Sequence, residues 1–133
     1  MARVSAENFA EALLGALSEY SEAASEATFR AVDAVTQETD AEIRRHITFT
    51  QRTKKYVKAF RTKTSFQDKR NKRNTWYVAS PYYRLTHLLE NGHKTRGGGD
   101  SRKFPHIKYG EELARRRLPE LITKEIEEIE KNG

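Results

Sequence analysis

Two histidines and a glutamate stand close together in the middle of the chain: His87, Glu90 and His93, with Gly92 between the last two and His106 further on. Histidine and carboxylate at such spacing can ligate zinc. The order His-x-x-Glu lacks the second helix-borne histidine of a zincin motif, however, and the chain has no cysteine. Glu90 therefore reads more simply as a carboxylate that caps local backbone or pairs with Arg84. His106 follows Pro105 at the start of a helical pattern and reads as a capping or turn residue. Nucleophilic chemistry fares no better. No serine sits in the glycine frame of a nucleophile elbow, and Gly97-Gly98-Gly99 lacks the Lys-Ser/Thr sequel of a phosphate-binding loop. No catalytic residue, metal site, cofactor or small-molecule substrate is assigned, and an enzyme is not expected.

A second cluster is cationic: Lys69, Arg70, Lys72 and Arg73 fall between two β-prone runs. Three readings are open: a solvated turn, a contact with an acidic protein, or a contact with phosphate. Clustered cations release counterions from DNA, and the neighbouring Trp76 and Tyr77 could stack on bases. Strand aromatics more often pack a core.

The elements that must position these residues follow from periodicity. From Ser5, a plausible N-cap, apolar residues recur three or four apart at Phe9, Leu13, Leu17, Tyr20, Ala24, Ala27 and Ala31, with Glu7, Glu11, Glu19 and Glu22 on other faces. The rhythm lapses around Thr36 to Asp40, and Thr39 with Glu42 has the form of a capping box, so a break into a second helix is expected there. Without that break the helix would be roughly 70 Å long at ~1.5 Å per residue, and would have to project toward a neighbour. From Tyr56 the period becomes two, with Tyr56, Phe60 and Phe66 on one face of a strand, and a second strand covers Thr75 to Ser80. A hairpin with a basic tip joins them. After Pro81 a short helix carries Leu85, Leu88 and Leu89, read with Tyr83 as core with a subunit contact as the alternative, and stops at Gly92. The triple glycine among Lys94, Arg96, Arg102 and Lys103 makes residues 93–104 a mobile basic loop. A last amphipathic helix holds Leu113, Leu118, Leu121, Ile122, Ile126 and Ile129, with a kink expected at Pro119.

The fold class is therefore α+β in one domain over residues 1–133: a long N-terminal helix or helix pair (1–54), a small antiparallel sheet with a basic hairpin (55–80), a short central helix (81–92), the loop (93–104) and a C-terminal helix (105–133). The composition, 36% hydrophobic against 33% charged, allows a thin core that partners would complete. Residues 1–43 carry 2 basic and 9 acidic side chains, 44–108 carry 18 and 3, and 109–133 carry 5 and 7. The basic middle could attract nucleic acid or pair with the acidic ends of neighbouring copies. Apolar runs fall far short of the ~20 residues that span a bilayer, no signal-peptide pattern is present, and the absence of cysteine fits a reducing cytoplasm.

The block Tyr82-Tyr83-Arg84-Leu85-Thr86-His87-Leu88-Leu89-Glu90-Asn91-Gly92-His93, with the triple glycine and Pro105-His106-Ile107 behind it, resembles the neck or tail-completion proteins of lambda-like tailed phages. The family pattern is Tyr, Leu, then "LLE.GH", a Gly-rich loop and "PH" opening the last helix, and the resemblance covers residues 50–130. One departure is that the family's Thr-Gly turn before the first strand is replaced by Thr53-Lys54. The resemblance implies a structural virion protein, made in the bacterial host cytoplasm, that acts as a ring at the head–tail junction. Its partners would be head-completion, tail-terminator or tail-tube proteins, with no more than weak contact with DNA in transit. The assembly residues it implies are Tyr83, Arg84, Glu90, His93, Gly97, Gly98, Gly99 and His106. In this reading the acidic helix of one subunit meets the basic hairpin or loop of the next. The alternative is a DNA-binding protein that uses the hairpin.

Overall fold

A computed structural model of the chain describes residues 6–49 and 54–132. Helix α1 (Ala6–Arg45) leads to a single helical turn α2 (Lys55–Lys58), an antiparallel hairpin of β1 (Phe60–Gln67) and β2 (Lys72–Val78), a short helix α3 (Arg84–Asn91) and a long helix α4 (Ile107–Asn132). The α+β architecture read from the sequence is the one observed. The proposed N-cap Ser5 and the turn residue Thr53 lie outside the described residues.

The expected break in the first helix is absent: α1 runs unbroken for 40 residues, about 60 Å at ~1.5 Å per residue. The polar residues that suggested a break are satisfied by the helix itself and by its neighbours. Thr36 Oγ1 donates back to the carbonyl of Val32 at 2.7 Å and accepts from Asn74 at 2.8 Å. Asp40 accepts from the Trp76 indole at 2.9 Å, and Glu38 receives Arg117 from α4 at 3.1 Å. Glu42 pairs with Arg45 at the end of the helix and with His46 just beyond it. The carboxylate needed for a capping box is thus engaged elsewhere.

Helix α4 packs antiparallel on α1. Glu38 meets Arg117 and Arg30 meets Glu125, so eight residues back along α1 match eight forward along α4. Small buried side chains, Ala27 and Ala31, form the seam. At the crossing near its other end, a Cβ on Gly110 would lie 2.6 Å from Ile43 Cγ1, so a residue without a side chain lets the helices meet. The helix continues through Pro119.

The core proper gathers Ile43, Tyr56, Ala59, Phe60 and Val78, with Trp76, Tyr82, Leu89 and Ile107 packed against it. Tyr56 belongs to α2, so the strand begins at Phe60 and not at Tyr56 as its period suggested. Phe66 also departs from expectation. A register shift between Thr64 and Phe66 pairs Thr64 with Asn74 but Phe66 with Arg73, which moves Phe66 to the opposite face and leaves it 48% exposed.

Candidate assembly surfaces

The motif residues of the central block form a joint between α3 and α4. Helix α3 ends at Gly92, whose φ of 74° suits a residue with no side chain. The last turn of α3 holds Glu90, whose Oε1 accepts from the backbone N–H groups of His106 at 2.6 Å and Ile107 at 2.7 Å. These donors open α4, so Glu90 caps it from another helix and sets negative charge at its positive end. The same oxygen lies 2.8 Å from His106 Nδ1, which also contacts the Phe104 carbonyl at 2.7 Å. With two acceptors against it, Nδ1 carries a proton. Nε2 faces the Tyr56 hydroxyl at 2.9 Å, and that hydroxyl reaches Thr86 at 3.2 Å. Burial holds the Tyr56 phenol above its ordinary range, and the nearby Glu90 charge pushes the same way.

This corrects two expected assembly residues. His106 is fully buried and the Glu90 side chain is only 14% exposed. Both are occupied inside the chain, because an ionised carboxylate and an imidazole can be buried only when paired.

The surrounding surface differs from expectation in the opposite sense. Tyr83, Leu85 and Leu88, read as core, are 49%, 43% and 42% exposed, and no residue of α3 is buried. Only the side of this short helix that carries Thr86 and Leu89 meets the body, so Arg84, Leu85 and Leu88 face outward. Next to it, the segment expected as a mobile loop is closed by backbone bonds: Ser101 N–H to His93 O at 2.7 Å and Thr95 N–H to Gly99 O at 2.8 Å. Gly98 turns it with φ 85°. His93 Nδ1 meets Ser101 Oγ at 2.9 Å. Gly97, Gly98, Gly99 and His93 are all exposed, so of the eight expected assembly residues these four, Tyr83 and Arg84 are on the surface.

The basic hairpin divides. Lys69 and Arg70 occupy the tip, which Asp68 builds by accepting from the N–H groups of Arg70 at 2.9 Å and Asn71 at 2.8 Å. Those two donors hold the Asp68 carboxyl below the usual carboxylate range. Lys72 and Arg73 lie in β2 and point to opposite faces. Lys72 turns toward α1 and pairs with Asp33 at 2.8 Å, with 12% of its side chain exposed. The Lys72 ammonium, then the Asn74 amide, hold the Asp33 carboxyl low. Lys72 is thus corrected from a partner contact to an internal tie. Trp76 is likewise committed, its ring 4.7 Å from Phe60 and its N–H on Asp40. The outer face keeps Arg61, Lys63, Arg73 and Tyr77 exposed, with Lys63 Nζ 5.0 Å from the Tyr77 ring.

The acidic first helix, which the sequence reading set against the next subunit, carries an apolar stripe that α4 leaves uncovered. Seven residues beyond Glu125, α4 ends at Asn132, opposite about Ala23 of α1. Residues 8–20 of α1 are all exposed, and coverage begins at Ser21. Phe9 (62%), Leu13 (50%), Leu17 (56%) and Tyr20 (46%) continue the same stripe that α4 covers at Ala27 and Ala31. One signal was present in the sequence: large apolar residues stand where α4 does not reach, and alanines where it packs.

Among the described residues no group of three or more His, Asp, Glu or Cys could hold a metal ion, and no helix is long and apolar enough to cross a membrane. No protein-family model, curated protein or solved structure matches the chain.

Proposed function

We propose that this chain is a neck or tail-completion subunit of a tailed bacteriophage, a structural virion protein that works as a ring at the head–tail junction. The observation that carries the assembly reading is the free end of α1. A stripe of Phe9, Leu13, Leu17 and Tyr20 left in water is costly for a monomer and is what an assembling subunit buries. The resembled motif supports the phage assignment through a structural logic. Its Glu, Gly and Pro-His elements, here Glu90, Gly92 and Pro105-His106, make one joint between α3 and α4. Lys54 adds to this: following Thr53, where the family has its Thr-Gly turn, it adopts φ 57°, a conformation glycine favours. The reading assigns no reaction, cofactor or small-molecule substrate. It locates the protein in the virion after synthesis in the host cytoplasm, beside head-completion, tail-terminator or tail-tube proteins.

The test is mass in solution with negative-stain imaging, alone and after mixing with tail-tube and head-completion proteins. Rings, free or on a partner, are the expected result. A chain that stays monomeric with every partner would overturn the reading.

A second reading, DNA binding, draws on the exposed outer face of the hairpin with Arg61, Lys63, Arg73 and Tyr77. It predicts affinity that falls steeply with salt and is abolished by charge reversal at Lys69, Arg70 and Arg73. Lys72 is left intact in that variant because it ties β2 to α1. No binding to duplex or single strands near ~0.1 M salt, where phosphate contacts should still register, ends this reading.

A further inference from the structure

From the two uncovered apolar faces of the chain we infer a head-to-tail contact between copies, in which the free end of α1 seats on the outward face of α3 and the adjoining glycine hairpin of the next copy. The inference rests on the ring reading and names its interface. The donor is the stretch of α1 before Ala23, which carries Phe9, Leu13, Leu17 and Tyr20 in helical register and projects about 25 Å past the end of α4 at ~1.5 Å per residue. The acceptor is the face of Leu85 and Leu88, with Tyr83 and Arg84 beside them. It belongs to a helix that buries none of its own residues.

Charge selects the occupant. Residues 6–22 contain four glutamates and no basic residue, so this helix end carries −4. Residues 82–104, the acceptor region, contain five basic and two acidic side chains, a net +3. Of those two acids, Glu90 is already spent on the α4 N-terminus, and Asp100 is paired with Lys94 at 2.9 Å. The glutamates Glu11, Glu19 and Glu22 lie around the side of α1 away from the stripe, so they do not obstruct apolar seating, while their field draws the helix end toward a basic surface.

Two other pairings are disfavoured by the same arrangement. A symmetric contact of one α1 end with another would bring −4 against −4. Docking on the hairpin would compete with that hairpin's own chain: Lys72 is tied to Asp33, and Lys69 and Arg70 line a shared depression with Leu17 and Glu22. A donor and an acceptor at different places on one subunit make a heterologous contact, which propagates and closes into a ring when the rotation allows.

The test uses two double variants of the full chain, Leu13→Asp with Leu17→Asp in the donor and Leu85→Asp with Leu88→Asp in the acceptor. All four positions are at least 42% exposed, so both variants should fold, with helix content by circular dichroism as the control. Sedimentation then reads assembly. Wild type is expected to form higher oligomers and each variant alone to remain monomeric. An equimolar mixture should recover one-to-one dimers and nothing larger, because only one intact donor and one intact acceptor meet. If the acceptor variant assembles like wild type, the interface is wrong while the ring reading stands. If each variant is monomeric but the mixture recovers no dimer, the two faces do not meet each other and the inference falls. A wild type that stays monomeric overturns the inference, and with partners added it overturns the ring reading too.

Discussion

Replacing Glu90 tests whether the joint between α3 and α4 is held by one carboxylate. Its Oε1 takes three donors: the N–H groups of His106 and Ile107 and the ring nitrogen of His106, at 2.6, 2.7 and 2.8 Å. In Glu90→Ala the first two N–H groups lose their acceptor beside a fully buried His106, where water has little access. A hydrogen bond to a charged acceptor is worth about 1.5–3 kcal/mol, and a buried donor left unpaired costs about 1–3 kcal/mol. Two donors that share one oxygen do not add in full, so the expected loss is about 3 kcal/mol. That is a large part of the ~5–15 kcal/mol typical of a domain. Glu90→Gln keeps an acceptor oxygen but gives up the charge at the helix end, and should lose only about 1 kcal/mol. Urea unfolding followed by circular dichroism measures both. With a slope of about 2 kcal/mol per molar, the midpoint should fall by about 1.5 M for alanine and about 0.5 M for glutamine, at unchanged slope. An alanine variant within about 0.5 kcal/mol of wild type, the range of ordinary surface substitutions, would refute the argument.

Glycine substitutions at two helical positions should have opposite signs. Gly15→Ala, with nothing within 4 Å of the new Cβ, should raise stability by up to about 1 kcal/mol through helix propensity. Gly110→Ala sets that gain against overpacking of about 1–3 kcal/mol where its Cβ meets Ile43, and should lower the unfolding midpoint. At alkaline pH, Tyr56 contributes through its raised folded-state value. The folded chain keeps the phenolic proton longer than the unfolded chain. The contribution is therefore complete below about pH 10, the unfolded value, and is lost as pH climbs toward the folded one, at up to about 1.4 kcal/mol per pH unit. Tyr56→Phe should show a shallower fall in stability over the same alkaline range in pH-dependent urea titrations, and an identical slope would remove Tyr56 from the account.

Periodicity and punctuation over a few residues made much of this chain readable. The amphipathic run of α1, the stop of α3 at Gly92 and the stripe of α4 all rest on residues within one or two turns of each other, where the backbone period itself selects the face. Even the capping role of Glu90 was one of the readings available. Its partners were not, because His106 and Ile107 reach it only when the glycine hairpin folds back. The same limit explains the misplaced break in α1. Thr36 and Asp40 look like helix-breaking polar residues until β2 brings Asn74 and Trp76 to them. Lys72 looks like part of a basic tip until strand pairing turns it onto Asp33, and Phe66 looks inward until the register shift after Thr64 reverses it. The bare stripe from Phe9 to Tyr20 is the clearest case. Amphipathicity marks the whole face of α1 as one to be buried, but how far α4 covers it depends on the crossing near Gly110 and on where α4 ends. Side-chain patterns specify which surfaces must leave water. The pairing of segments far apart in the chain specifies which of them find cover within the molecule, because that depends on register and on the close approach of backbones.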